Sequence, residues 1–305
     1  MSVTRGYLPL LLALAAIWGA SFMFIELALE DLAPTTLMAA RIVISAVCLV
    51  GAIVAMRGVG GAVHELRGAG LGAYGLGVIN SAIPFTLIAW GQEHVDSGTA
   101  AISNASTPIW VAVLATWFLH SERASGGRLL GILLGLLGVG VLAGATPEAS
   151  WWTLAGTGAV VAASFCYAGS SLIAQGRMAS TTPLTLSAAT MIGAAVVLAP
   201  VGILQAPSSA PDAATIGSVV ALGVAGTAIG LVMFFRIVVR YGSARAALVT
   251  YLVPVTAVLY GAGFLQEPIG IAKIGGMTLV LAGVALGSGV VRLPRRAVAV
   301  AAPRA

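Results

Sequence analysis

The chain has 305 residues, of which 59% are hydrophobic and only 8% are charged, and its formal net charge is +5. A soluble domain carries about 25% charged residues, so this composition excludes a water-soluble globule and any sizeable aqueous catalytic or nucleotide-binding domain. The basic residues are scattered over short segments and form no single patch, which argues against a nucleic-acid partner. The expected surroundings of the chain are a lipid bilayer.

Ten apolar runs follow one another along the chain, separated by short polar stretches. Numbered 1 to 10, they cover residues 8–29, 35–56, 69–90, 98–119, 129–145, 152–173, 184–204, 214–235, 246–265 and 274–291. Because roughly 20 apolar residues suffice to cross a bilayer as a helix, each run is a candidate span, with runs 5 and 10 shorter than the others. The predicted fold is an all-α integral membrane protein with ten transmembrane helices.

The distribution of basic residues predicts the orientation of these spans. With the N-terminus inside, thirteen of the fifteen basic residues fall on the inner side, whereas the outer loops hold only Lys273 and Arg41 lies within run 2. Basic residues favour the cytoplasmic side, so both termini are expected in the cytoplasm. Fourteen arginines against one lysine, with many Ala, Gly and Val residues, favour a bacterial source and therefore the inner membrane.

The two halves of the chain resemble each other. Residues 77–119 align with residues 223–265 at a constant offset of 146, which pairs Pro108 with Pro254, and the stretch that contains Arg41 aligns with one that contains Thr190 at an offset of 149. Each half holds five spans, an odd number, so the second copy must cross the membrane in the opposite sense. Inverted repeats of this kind are typical of secondary transporters, whose binding sites lie near the midplane between the repeats.

Short motifs in both halves resemble one family. The first half contains Ile-Trp-Gly-Ala-Ser-Phe at 17–22, Ala-Arg at 40–41, Ala-Ile-Pro-Phe at 82–85, Thr-Pro-Ile at 107–109 and Ser-Glu-Arg at 121–123, and the second contains Ser-Phe at 164–165, Pro-Val at 254–255 and Leu-Gln-Glu-Pro at 265–268. In order and spacing they look like two EamA repeats of the drug/metabolite transporter superfamily. The resemblance implies a first repeat at 1–145, a second repeat at 150–291 and a basic cytoplasmic tail at 292–305. It also implies a central cavity lined chiefly by spans 1, 3, 4, 6, 8 and 9.

Two ionisable residues lie inside the predicted spans, Glu26 near the end of run 1 and Arg41 within run 2. An antiparallel hairpin places both at similar depth, so an ion pair between them is expected, because each would otherwise be an unpaired charge in lipid. Such a pair either locks the hairpin or takes part in substrate binding or gating. The alternative is that Glu26 lies at the membrane interface.

Polar residues in the middle of the spans are the second set of candidates, because a buried amide or phenol needs a partner or a wet cavity. The candidate cavity-lining or substrate-binding residues are Trp18, Ser21, Asn80, Asn104, Tyr167, Thr227 and Tyr251. Hydrogen bonding between helices is the alternative role, above all for serine and threonine. Three prolines within spans, Pro84, Pro108 and Pro254, are expected to kink their helices.

Glycines at four-residue spacing in runs 5 and 10 predict close helix packing. The packing partner is either another helix of the same chain or a second copy, which would form a homodimer through runs 5 and 10. The sequence contains no Walker A motif, and its histidines and aspartates fall in loops or at the ends of spans. The sequence therefore predicts no enzyme activity, no cofactor and no metal site.

The function predicted from these features is a secondary transporter of small organic metabolites, such as amino acids or their derivatives, that exports them by alternating access around a central cavity. A proton-coupled exporter of drugs or cations is the first alternative. An intramembrane lipid-modifying enzyme is the second, although the only carboxylate inside a span has an arginine as its expected neighbour.

Overall fold

The computed structural model describes residues 3–118, 127–144, 150–177, 181–241 and 248–287, and within these ranges every regular element is helical. The helices are α1 (Val3–Ala28), α2 (Pro34–Gly68), α3 (Leu71–Gly77), α4 (Ile83–Gln92), α5 (Ser97–Asn104), α6 (Thr107–Phe118), α7 (Gly127–Gly144), α8 (Trp151–Arg177), α9 (Pro183–Leu204), α10 (Ala213–Ala221), α11 (Gly230–Tyr241), α12 (Val249–Phe264) and α13 (Ile271–Gly287). Two π-helical segments, π1 (Val78–Ala82) and π2 (Leu222–Ile229), join α3 to α4 and α10 to α11.

Among the described residues, six helical stretches are long and apolar enough to cross a membrane. They are Tyr7–Ala28, Pro34–Gly68, Leu71–Gln92, Trp151–Ile173, Pro183–Leu204 and Ala213–Phe234. Three further apolar helices, Leu129–Leu142, Val249–Phe264 and Ile271–Leu286, are shorter. The protein is therefore an all-helical, multi-pass membrane protein, while the count of ten spans remains a prediction.

Helix ends follow local sequence signals. α2 begins with Pro34 in its first turn, where the missing N–H has no helical partner to lose. The side chain of Asp96 accepts the backbone N–H of Thr99 at 2.7 Å and so caps α5. α2 continues beyond the predicted end of run 2, but its helical path is broken at Gly58, whose φ of 69° favours glycine.

The loops divide the helix bundle into two ends of opposite charge. The acidic end holds the loops that contain Glu30, Asp31, Glu93, Asp96, Asp212 and Glu267. The arginine end, where α1 begins and α2 finishes, holds Arg57, Arg67, Arg236 and Arg240.

The two halves of the chain interleave, because the most extensive helix contacts join an element of one half to an element of the other. α2 packs against α9, α1 against α12, and α7 against α13. The buried core along these contacts contains large aliphatic side chains with almost no exposure, such as Leu14, Leu37, Ile42, Leu49 and Met191. This arrangement leaves a central space bordered by both halves.

The glycines of α7 and α13 pack against each other within one chain. A Cβ added at Gly138 would come within 2.9 Å of the Gly276 carbonyl oxygen, and one added at Gly283 within 2.6 Å of the Gly131 carbonyl oxygen. Such close backbone approach is what small-residue stripes permit in membranes. This face is therefore filled by an intramolecular contact. A homodimer through these helices would have to use other surfaces, such as the one at Gly140, where an added Cβ meets nothing within 4 Å.

Candidate functional site

A cavity of about 450 Å³ lies in the centre of the bundle, lined by residues of both halves. Its polar lining consists of Arg41, Asn80, Ser81, Asn104, Thr107, Tyr167, Ser170, Ser171, Ser187, Thr190, Thr227 and Thr250. The rest is apolar and includes Trp18, Phe22, Phe85 and Phe234. An apolar cavity with a few polar groups, in the range of about 300–1,000 Å³, is typical of sites for small molecules.

The lining of the cavity reaches close to both ends of the bundle. It includes Leu186 and Val249, in the first turns of α9 and α12 at the arginine end, and Ile25, in the last turn of α1 at the acidic end. These three side chains are 3%, 2% and 2% exposed, so packed residues border the cavity at both ends.

Both π-helical segments border the cavity at equivalent positions of the two halves. With the offset of 146 residues, π1 corresponds to residues 224–228, inside π2. Asn80 and Ser81 of π1, and Gly226 and Thr227 of π2, all line the cavity. A π-helical turn removes carbonyls from the regular helix ladder, and such turns are frequent at functional sites. Here the indole N–H of Trp18 donates to the carbonyl oxygen of Gly226 at 3.1 Å.

Arg41 brings a positive charge to this cavity. Its Nε donates to the hydroxyl of Thr227 at 2.9 Å, and its guanidinium carbon lies 4.1 Å from the centre of the Phe85 ring. The residue is 7% exposed, and it is the only charged residue among the described residues that line the cavity. The described ion pairs, Arg57–Glu65, Lys273–Asp96 and Lys273–Glu267, do not include Arg41.

In the structure Glu26 and Arg41 have different partners, and no described ion pair joins them. Glu26 instead accepts a hydrogen bond at 3.2 Å from the side-chain amide of Gln92, which also donates to the carbonyl oxygen of Phe22 at 2.9 Å. The physical reason is rotation about the helix axes. Residues at similar depth need not face each other. Here Glu26 contacts Gln92 at the end of α4, whereas Arg41 contacts Thr227 in π2.

The other predicted cavity residues fall into two groups. Trp18, Asn80, Asn104, Tyr167 and Thr227 line the cavity, and Pro254, predicted only as a helix kink, lines it as well. Ser21 and Tyr251 are not part of the lining: the hydroxyl of Ser21 donates to the Ile17 carbonyl at 3.1 Å within α1, and Tyr251 packs beside a separate apolar cluster around Val258.

The prolines also separate. Pro108 lies in the first turn of α6, after the break between α5 and α6 at Ala105–Ser106, where a missing N–H costs little. Pro84 lies inside the continuous helical stretch Leu71–Gln92, directly after π1. Pro254 lies inside α12.

Several cavity residues were not singled out from the sequence. Phe85, which contacts Arg41, appeared only as part of a motif, and Thr190 appeared only as the residue aligned with Arg41. The repeat alignment held a usable signal for Thr190, since both aligned positions line the cavity. For Phe85 the periodicity of an apolar helix offered none.

A buried charge cluster at the acidic end was also missed. The ammonium of Lys273 lies 3.0 Å from Asp96 Oδ1 and 3.4 Å from Glu267 Oε2. The Glu267 carboxylate also accepts the backbone N–H groups of Ser97 and Gly98, at 2.9 and 3.2 Å, in the first turn of α5. Sequence reasoning placed Lys273 in a loop, whereas it lies in the first turn of α13 and is 7% exposed. The cluster ties α5 of the first half to α13 of the second.

These features define a multi-pass helical membrane protein with a solute-sized cavity between two structurally similar halves. The sequence profile of the EamA-like transporter family matches residues 5–144 and again residues 154–289. The chain belongs to the EamA-like transporter family, which confirms the resemblance drawn from its motifs. The family consists of transporters rather than enzymes.

Two curated proteins are similar to the chain. An "Uncharacterized transporter" of Archaeoglobus fulgidus is 25% identical over 268 residues, which cover 88% of this chain and 93% of the relative. A "Probable terminal-alkyne amino-acid exporter" of Streptantibioticus cattleyicolor is 33% identical over 206 residues, which cover 66% of this chain and 67% of the relative. A solved crystal structure that is 20% identical superposes with a TM-score of 0.67, covering 94% of this chain and 97% of its own, and supports the fold alone.

Proposed function

We propose that the protein is a secondary transporter that exports small neutral, zwitterionic or weakly anionic metabolites, amino acids or their derivatives among them. The observation that carries this proposal is the charge of the cavity: Arg41 is buried there, with a hydroxyl, a thioether sulfur and an aromatic ring as its contacts. A desolvated guanidinium without a carboxylate partner attracts a carboxylate, which its fork of N–H groups can bind in bidentate fashion. The amino-acid exporter among the relatives supports the same substrate class.

The remaining lining suits the uncharged part of such a solute. The ring of Tyr167 lies edge-on to Phe85 at 6.4 Å between centroids, and the ring of Trp18 lies 5.5 Å from that of Phe234. Asn80 and Asn104 add amide groups from the first half, and Thr250 adds a hydroxyl from the second. Because the described lining contains no carboxylate, a permanent cation would find no counter-charge in it.

We propose alternating access between the repeats 1–145 and 150–291 as the mechanism, with coupling to protons weak or absent. The profile match to each half and the equivalent π segments support the two-repeat division. The charged ends support an orientation with both termini in the cytoplasm of a bacterial inner membrane. A reporter enzyme fused after Ala305 should be active only in the cytoplasm, and activity in the periplasm would contradict this orientation.

The substrate proposal is tested by counterflow into proteoliposomes, with a panel of N-acetyl amino acids and their matched N-acetyl amides, which lack the carboxylate and carry no charge. Arg41→Gln should raise the KM for the acids by about 10- to 100-fold, the value of a lost hydrogen bond to a charged group, and should leave the amides unchanged. Arg67→Gln, at an exposed site at the end of α2, is the matched control and should behave as the wild type.

Two results would contradict the substrate proposal. Equal loss of acids and amides in Arg41→Gln would show that Arg41 serves folding rather than recognition. Export of a quaternary cation driven by a pH gradient and abolished by Glu26→Gln would favour a proton-coupled cation exporter instead.

A further inference from the structure

A second cavity, of about 350 Å³, opens at the arginine end between α2, α9 and α11. Its lining consists of Ile53, Met56, Arg57, Glu65, Thr182, Pro183, Leu184, Ser187, Val232, Arg236 and Arg240. Ser187 lines the central cavity as well, so only a thin wall separates the two. We call this second cavity the arginine cleft.

The arginine cleft carries a net positive charge, because three arginines face one glutamate. The glutamate is already engaged: Glu65 Oε1 lies 3.3 Å from Arg57 Nε, and its Oε2 accepts a hydrogen bond from Thr185 at 2.7 Å. Arg236 and Arg240 are exposed and lie one turn apart on the same face of α11. The Arg240 guanidinium lies 5.6 Å from the centre of the Tyr241 ring, and neither arginine has a described carboxylate partner, so both can bind an anion.

The depth of these arginines is that of a membrane surface. Arg236 and Arg240 lie in the last two turns of α11, which ends at Tyr241, and the helical path of α2 breaks at Gly58, directly after Arg57. On the span side of the arginines, Met56 and Val232 are 67% and 44% exposed. The cleft therefore joins charged groups at headgroup depth to an apolar wall that faces the hydrocarbon.

We propose that the arginine cleft binds an anionic phospholipid, with its phosphate on Arg236 and Arg240 and an acyl chain along Met56 and Val232. Basic pockets between transmembrane helices bind lipid headgroups on the same electrostatic principle. The guanidinium fork matches the geometry of phosphate oxygens. A bound lipid would bridge α2 and α11 beside the wall of the central cavity, a role separate from the choice of transported solute.

The test is native mass spectrometry of the full chain in detergent, titrated with phosphatidylglycerol and with phosphatidylcholine of the same acyl chains. We expect the wild type to retain phosphatidylglycerol preferentially. Each arginine near an anionic headgroup contributes about fivefold in affinity, so the double variant Arg236→Gln/Arg240→Gln should bind phosphatidylglycerol about 25-fold more weakly. Thermal unfolding without lipid shows whether the double variant is folded.

Arg67→Gln is the matched control, since Arg67 lies at the same end of the bundle but outside the cleft. It should keep wild-type lipid affinity. An equal loss in this control would show that the arginines attract lipid only through general charge and would overturn the site. Retention of phosphatidylcholine as strong as that of phosphatidylglycerol would also overturn it. If millimolar inorganic phosphate displaces bound phosphatidylglycerol as effectively as added lipid does, the proposed contact with the acyl chain is wrong.

If the double variant is unfolded, Arg240→Gln alone should still show about a fivefold loss of affinity, and wild-type affinity in that variant would count against the proposal.

Discussion

The charge cluster at the acidic end should contribute strongly to stability, and Lys273→Met tests this directly. Lys273 and Glu267 each have side chains that are 9% exposed, whereas Asp96 is 30% exposed. Removing one partner of a buried ion pair costs about 3–5 kcal/mol. Glu267 keeps two backbone N–H donors after the substitution, and water reaches Asp96, so we expect the lower limit, about 3 kcal/mol, or about a 150-fold change in the unfolding equilibrium.

The assay is chemical unfolding in bicelles, followed by far-UV circular dichroism, for Lys273→Met, Glu267→Gln and the double variant. The double variant should be more stable than the sum of the single effects predicts, by about 1–3 kcal/mol, because neither change then leaves its partner unpaired. Arg57→Gln is the matched control. Its partner Glu65 is only partly buried and Arg57 itself is 57% exposed, so it should cost less than about 1 kcal/mol. Strictly additive effects, or a cost for Lys273→Met as small as that of the control, would refute the reasoning.

The remaining predictions concern three other contacts. The change in unfolding free energy when Glu26 and Arg41 are neutralised together should equal the sum of the two single changes within about 0.5 kcal/mol, because the residues are not paired. Strong coupling in this double-mutant cycle would support the ion pair instead. Gly283→Ala should destabilise by about 1–3 kcal/mol through overpacking between α7 and α13, whereas Gly140→Ala should be neutral or stabilising; equal thermal shifts would contradict the packing. The Asp212 carboxylate accepts backbone N–H groups at the start of α10, and these hydrogen bonds hold its pKa below the ordinary value. The contact therefore stabilises the folded state at neutral pH, and this stabilisation is lost as the pH falls through the lowered pKa. Unfolding temperatures of the wild type should therefore fall relative to those of Asp212→Asn between pH 7 and pH 3, and a constant difference would show that the cap is not ionised.

Composition and pattern were sufficient for the membrane class and the family. Long apolar runs predict helices because, in lipid, each backbone N–H and C=O must find its partner within the segment. The described part of the chain has six such helices that are long enough to span. The offset of 146 residues, read from the sequence, relates π1 to residues inside π2. Midspan amides and aromatics, such as Asn80, Asn104 and Tyr167, stood out because polar groups are costly in hydrocarbon, and all three line the cavity.

Only the tertiary structure decided which side chains meet. Helix depth can be counted along the sequence, but the rotation of a helix about its axis depends on packing with distant segments. For this reason Arg41 contacts Thr227 and Phe85 rather than Glu26. Lys273 illustrates the same principle. The sequence places this cation near a loop, but the fold brings Glu267 and Asp96 to it, so that it becomes a buried link between the two halves.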